Sequence, residues 1–136
     1  MTIQDIQGIC GKLPGVTEDI KWGDHLCFNV GGKMFLVTAP DHVPVSASIK
    51  VTDENFELLT DREGITPAPY MARHKWIFLD DIKRFSKKQW EQYIPEAHRL
   101  IGSGLTGKMQ RQLGLAVDTS KTSKAAKSLP KKKGKK

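Results

Sequence analysis

The 136-residue chain is 38% hydrophobic, with three Trp and five Phe, enough for one compact core and too little for two domains. No 18 consecutive apolar residues occur, and none of the opening Met1-Thr-Ile-Gln-Asp begins an apolar run, so neither a membrane span nor a secretion signal is expected and the cytoplasm is the expected compartment. The formal charge of +7 is not spread along the chain: residues 1–117 hold 14 Lys/Arg and 14 Asp/Glu, whereas residues 118–136 hold eight Lys and Asp118 alone. The domain therefore has no general attraction to phosphate, and any basic face on it must be argued residue by residue.

Thr2 with Asp5 three residues on makes a capping-box-like start. Ile3, Ile6, Cys10 and Leu13 recur at helical spacing, so a first helix runs to about Lys12, where Pro14-Gly15 stops it. Val16 to Lys21 carries Glu18 and Asp19 on an exposed approach to Trp22. The stretch Trp22 to Val37 reads as two antiparallel strands, near 25–30 and 33–39, joined by Gly31-Gly32. These two glycines supply the positive φ angles of a type I′ turn and set Val30 beside Lys33. Simple alternation then puts Leu26, Phe28, Val30, Phe35 and Val37 on one face, with His25, Cys27, Asn29, Met34 and Leu36 on the other.

Pro40 to Pro44 is a loop, and Val45 to Val51 alternates as a third strand, with Val45, Ala47, Ile49 and Val51 inward. Thr52 or Asp53 caps a short helix that buries Phe56 and Leu59 and ends near Gly64. Ile65 to Tyr70 contains two prolines and is expected as an ordered surface loop, with a minor strand around residues 66–73. Trp76 to Leu79 is β-favouring and forms the next long strand. Ser86 with Gln89 is a second capping box. It opens a covering helix whose stripe is Trp90, Tyr93, Ala97 and Ile101, and Pro95 is expected to kink or divide this helix. A short helix over about 106–113 follows. From Val117 onward Ser, Thr, Ala and Lys dominate, so residues 118–136 are expected to be disordered. No repeat of 20 to 50 residues is visible.

Trp22-Gly-Asp-His, Gly31-Gly-Lys-Met-Phe35, Pro67-Ala-Pro-Tyr70 and Trp76, in that order and spacing, resemble the MmcQ/YjbR family over about residues 2–115. The resemblance implies a CyaY-like, secretion-chaperone-like fold and DNA binding through a double-wing surface. Two positions depart from the family pattern. Its usual Ser-Tyr pair in the covering helix stands here as Ala97-His98, and its Leu-Pro-Lys-Lys end as Leu105-Thr-Gly-Lys108.

No Gly-x-Ser-x-Gly, no phosphate-binding glycine loop before a helix and no paired metal motif is present, so catalysis and cofactors are not expected. His25 and Cys27 fall on one strand face, but a zinc site wants three or four ligands, and His42, His74 and His98 show no supporting spacing. The first helix is too poor in acid for the iron binding of CyaY-like relatives. Cys10 and Cys27 read as buried apolar residues with no need of a disulfide.

The loop from Pro67 to Trp76 has two readings. In one, Tyr70 and Trp76 are core and Arg73, His74 and Lys75 a solvated rim. In the other, prolines display Tyr70 beside the cations, which suits phosphate contact and stacking on bases. Lys33 at the hairpin tip and Lys50 on the outer face of the third strand are placed where a wing could meet a backbone. Trp22 reads as closing a core edge in preference to a binding platform. The tail, including Lys131, Lys132 and Lys133, is a polycation that binds polyanions without reading sequence.

The expected fold is α+β in two layers, an antiparallel sheet packed against helices, in the order α-β-β-β-α-β(β)-α. The expected function is non-enzymatic DNA binding through Lys33, Lys50, Tyr70, Arg73 and Lys75, with the tail adding non-specific contacts. The alternative is a protein-interaction adaptor or chaperone-like module.

Overall fold

The computed structural model describes residues 1–115. The expected disordered tail, with Lys131, Lys132 and Lys133, lies outside the described residues. By compactness the chain divides between Ile101 and Gly102.

The first unit opens with helix α1 (Ile3–Cys10), started by the capping box in which Thr2 Oγ1 accepts from the Asp5 amide and the Asp5 carboxylate accepts from the Thr2 amide. Four strands follow, β1 (Val16–Lys21), β2 (His25–Val30), β3 (Lys33–Ala39) and β4 (Ser46–Lys50), then helix α2 (Asp53–Leu59), strands β5 (Ile65–Pro67) and β6 (Trp76–Leu79), and helix α3 (Lys87–Gly102). The six strands make one antiparallel sheet in the order β1-β2-β3-β4-β6-β5. From Gly102 on, the described residues carry helix α4 (Gly107–Gln112), whose N-cap Thr106 accepts from the Met109 amide. No described helix is long and apolar enough to cross a membrane.

The Gly31-Gly32 turn is as expected, with φ of 59° and 80° and Val30 paired to Lys33. The faces beyond it are not. The register shifts after Asn29↔Met34, so that Phe28 meets Leu36 and Phe35 is left as an extra residue in β3. One inserted residue exchanges the two faces for the rest of the strand. Phe28, Leu36, Ile49 and Ile77 consequently line up across four strands, all fully buried. Helix α3 meets the sheet at the bulge, where His98 packs edge-on to Phe35 at 5.6 Å and its Nε2 lies 2.8 Å from the Pro14 carbonyl. Trp90, also fully buried, satisfies its indole N–H on the Ile82 carbonyl at 2.9 Å, which removes the cost of an unpaired buried donor.

Three further expectations need correction. Val16–Lys21 is not an open approach but the edge strand β1, paired from Val16↔Val30 to Lys21↔His25. Its side chains are mostly exposed, so it carries no alternating apolar signal to read. Helix α3 is not divided at Pro95 but runs through it as one element. Glu91, whose carbonyl loses its partner there, is exposed, and water can take the place of the lost donor. Helix α2 stops at Leu59, with turns in place of its last expected residues.

Candidate nucleic-acid interface

The second face of the sheet bears Cys27, Val37 and Trp76, with Met34 and Phe78 partly buried beside them. These residues would be exposed if nothing covered them. The segment between β5 and β6 does so: Ala68 and Met71 pack on this cluster. Its backbone is tied down by Ala68 N–H to the Trp76 carbonyl at 3.0 Å and by Val51 N–H to the Lys75 carbonyl at 2.9 Å. The loop is therefore a fixed part of the core wall, and what it shows to water is held in place.

Residues 68–71 form a tight turn closed by Met71 N–H to the Ala68 carbonyl at 3.2 Å, with Pro69 second and Tyr70 third at φ 67°. A short 3-10 helix, Ala72–His74, follows and ends at Lys75, itself at φ 63°. Tyr70 is completely exposed, at 102% of its reference area, whereas Trp76 is 4% exposed. The two aromatic residues thus divide between the two readings of the loop, Trp76 as core and Tyr70 as display.

The basic side chains are disposed differently from one another. Arg73 and His74 are exposed, and Arg73 makes no ion pair among the described residues. The Lys75 amine lies 4.9 Å from the centroid of the Phe56 ring on α2, a cation–π contact that orients it without neutralising it. The Lys50 amine donates to the His74 carbonyl. Its half-buried position pushes the Lys50 pKa down, with the Asp53 carboxylate opposing the shift and Lys75 adding to it. Lys33 is exposed at the hairpin tip, at the same end of the sheet as Lys50 and Lys75, but its side chain alternates away from the loop, because its neighbour Met34 faces the loop cluster.

Phe56 and the His74 carbonyl are parts of this surface that sequence reasoning missed. A helix pattern marks Phe56 only as apolar, and no pattern announces a backbone acceptor. Trp22, expected to close a core edge, is instead 67% exposed at φ 55° in the β1–β2 turn, edge-on to His25 at 5.6 Å. It lies at the far end of the sheet from Tyr70, because the β1–β2 turn and the β2–β3 turn cap opposite ends of β2. His25 lies beside Asp24, at 2.7 Å, and edge-on to His42 at 5.8 Å, but no group of three or more His, Cys, Asp or Glu that could hold a metal occurs among the described residues. Burial, with Glu18 nearby, pushes the Cys10 thiol up to about 12, which makes it an inert core group.

A family model described as YjbR matches residues 11–100. Among solved structures, the chain is similar to a Deinococcus radiodurans protein with the family-model domain DUF419, at TM-score 0.75 and 24% identity, covering 84% of this chain and 88% of that one. That likeness is one of fold. No curated protein matches the sequence.

Proposed function

The chain belongs to the YjbR family, and from that premise and the surface around Tyr70 we propose that it is a non-enzymatic DNA-binding protein. The observation that carries the reading is the meeting, on one braced loop, of a fully exposed Tyr70 with exposed Arg73 and His74 and an un-neutralised Lys75. Basic side chains of this kind bind phosphate oxygens, and a displayed ring offers a base a face to stack on. Lys50 holds the loop and adds charge beneath it, and Lys33, whose side chain points away from the loop, offers a separate phosphate contact at the hairpin tip at the same end of the sheet. The lysine tail, including Lys131, Lys132 and Lys133, supplies affinity that does not depend on sequence. The expected compartment under this reading is the cytoplasm.

A protein partner is the second reading, favoured by the exposure of Trp22 together with Val43, which is 97% exposed. Binding of genomic DNA fragments by the full chain and by an Arg73→Ala, Lys75→Gln variant separates the two. Gln keeps the stem over Phe56 and removes the charge, so the melting temperature should hold while DNA affinity falls several-fold. Unchanged affinity would place the DNA site elsewhere, and a stoichiometric protein purifying with the chain in place of nucleic acid would favour the adaptor.

A further inference from the structure

We infer that the loop takes unpaired bases, so that the preferred ligand is single-stranded nucleic acid, with Tyr70 as the stacking platform; the inference rests on the DNA-binding reading and narrows it. Ala68-Pro69-Tyr70-Met71 has the pattern of a type II turn: Pro in second place, positive φ in third and the closing Met71 N–H to Ala68 carbonyl bond. The third place of such a turn ordinarily belongs to glycine, because a Cβ is strained at φ near +60°. Here it holds a tyrosine at φ 67° whose ring touches so little of the protein that its exposure is complete. Packing cannot be what keeps the ring, since it buries nothing. A strained residue whose side chain returns no stability to the fold points to use of that side chain outside the fold.

The surroundings say what the use is. The backbone that carries the ring is held in place, since Ala68 and Trp76 on either side of the loop are buried and the next residues are tied by the Lys50 bond to the His74 carbonyl. Arg73 and His74, three and four residues on, are exposed and offer basic side chains to the phosphates of a strand stacked on Tyr70. In a duplex both faces of each base are already stacked, so one ring on a loop can reach them only by prising a step apart. In a single strand the faces are open, and stacking on them is tolerant of sequence. The domain's balance of 14 basic and 14 acidic side chains over residues 1–117 points the same way. A neutral body gains little from the dense charge of a duplex, whereas a stacking contact does not need net charge.

The test uses the full chain with a labelled oligodeoxythymidylate and a dA·dT duplex of equal length, at salt high enough to suppress contacts from the lysine tail. The chain should prefer the single strand. Tyr70→Gly should lower single-strand affinity about tenfold and leave duplex affinity unchanged, while the melting temperature stays level or rises because the turn receives its favoured residue. Tyr70→Phe should keep the preference. If Tyr70→Gly leaves single-strand affinity intact, or lowers affinity for both ligands equally, the inference is overturned and the DNA-binding reading stands. If the unaltered chain binds neither ligand, the DNA-binding reading fails and the inference with it.

Discussion

The side-chain amine of Lys50, at the end of β4, donates to the main-chain carbonyl of His74, 24 residues further on. A strand-end lysine thereby fastens the loop that carries Tyr70 and Arg73, and its role is first to position that loop and only second to contribute charge. Replacing it by methionine keeps the stem and deletes the donor. Lys50→Met should cost about 1 kcal/mol of stability, the net worth of one partly exposed hydrogen bond. Amide exchange should quicken at Ala68 and Lys75, while the β2 and β3 amides keep their protection. Uniformly faster exchange across the sheet would mean that Lys50 supports the whole fold.

The β2–β3 turn makes a sharper prediction about backbone geometry. A Cβ on Gly32 would meet nothing within 4 Å, yet its φ is 80°, so any cost of substitution is conformational alone. Gly32→Ala should lower stability by about 1–2 kcal/mol, and Gly32→Asn, which tolerates the left-handed region, should recover most of it. Chemical denaturation of the two variants checks this; equal losses would show that the side chains collide with something.

The sequence made the turn legible because two adjacent glycines between β-favouring runs have almost no other use. It made two caps legible for a similar reason: Thr2 and Ser86 each accept the amide three residues on, as the spacing predicts, and of the two candidates Thr52 and Asp53 it is Thr52 that does so for α2. The Phe35 bulge was not legible, because Met34, Phe35, Leu36 and Val37 are all apolar and either face assignment buries them. Edge strand β1 leaves no apolar pattern in the sequence because an edge need bury little. At the site, the run of cations after Pro67-Ala-Pro-Tyr70 marked the loop. Which of Tyr70 and Trp76 is buried was not legible, because the positive φ and complete exposure of Tyr70 leave no mark on composition.

Part of the acid sensitivity should come from the β1–β2 ladder. The Asp19 carboxylate accepts from the Lys21 amine at 2.8 Å and from Asn29 Nδ2 at 2.9 Å, and these bonds, Lys21 first, hold its pKa below 3.8. Folding therefore favours the charged form, and the stabilisation is complete above 3.8 and lost as the pH falls through the lower folded value. The melting temperature should drop over that range, and Asp19→Asn should show a smaller drop because it has no proton to gain there. Asp5 and Asp80 are shifted the same way, by Thr2 and by Arg84, so part of the sensitivity should persist in the variant. An identical acid profile for variant and parent would mean that the Asp19 bonds do not survive in solution.

The central claim, that the folded loop binds DNA and does not merely accompany a basic tail, is tested most directly by the salt dependence of binding. Affinity should be measured for the full chain, for the chain lacking residues 118–136, and for that shortened chain carrying Arg73→Ala. Each phosphate contact steepens the plot of log affinity against log salt by about 0.9 for duplex DNA, and by somewhat less for a single strand. Removing the tail should flatten the slope by several units and leave a weaker mode with a slope of about −2 to −3, the share of Arg73, Lys75 and Lys33. Arg73→Ala should then reduce that remaining slope by about 1. Loss of all binding with the tail, or a residual slope that Arg73→Ala does not touch, would contradict the account.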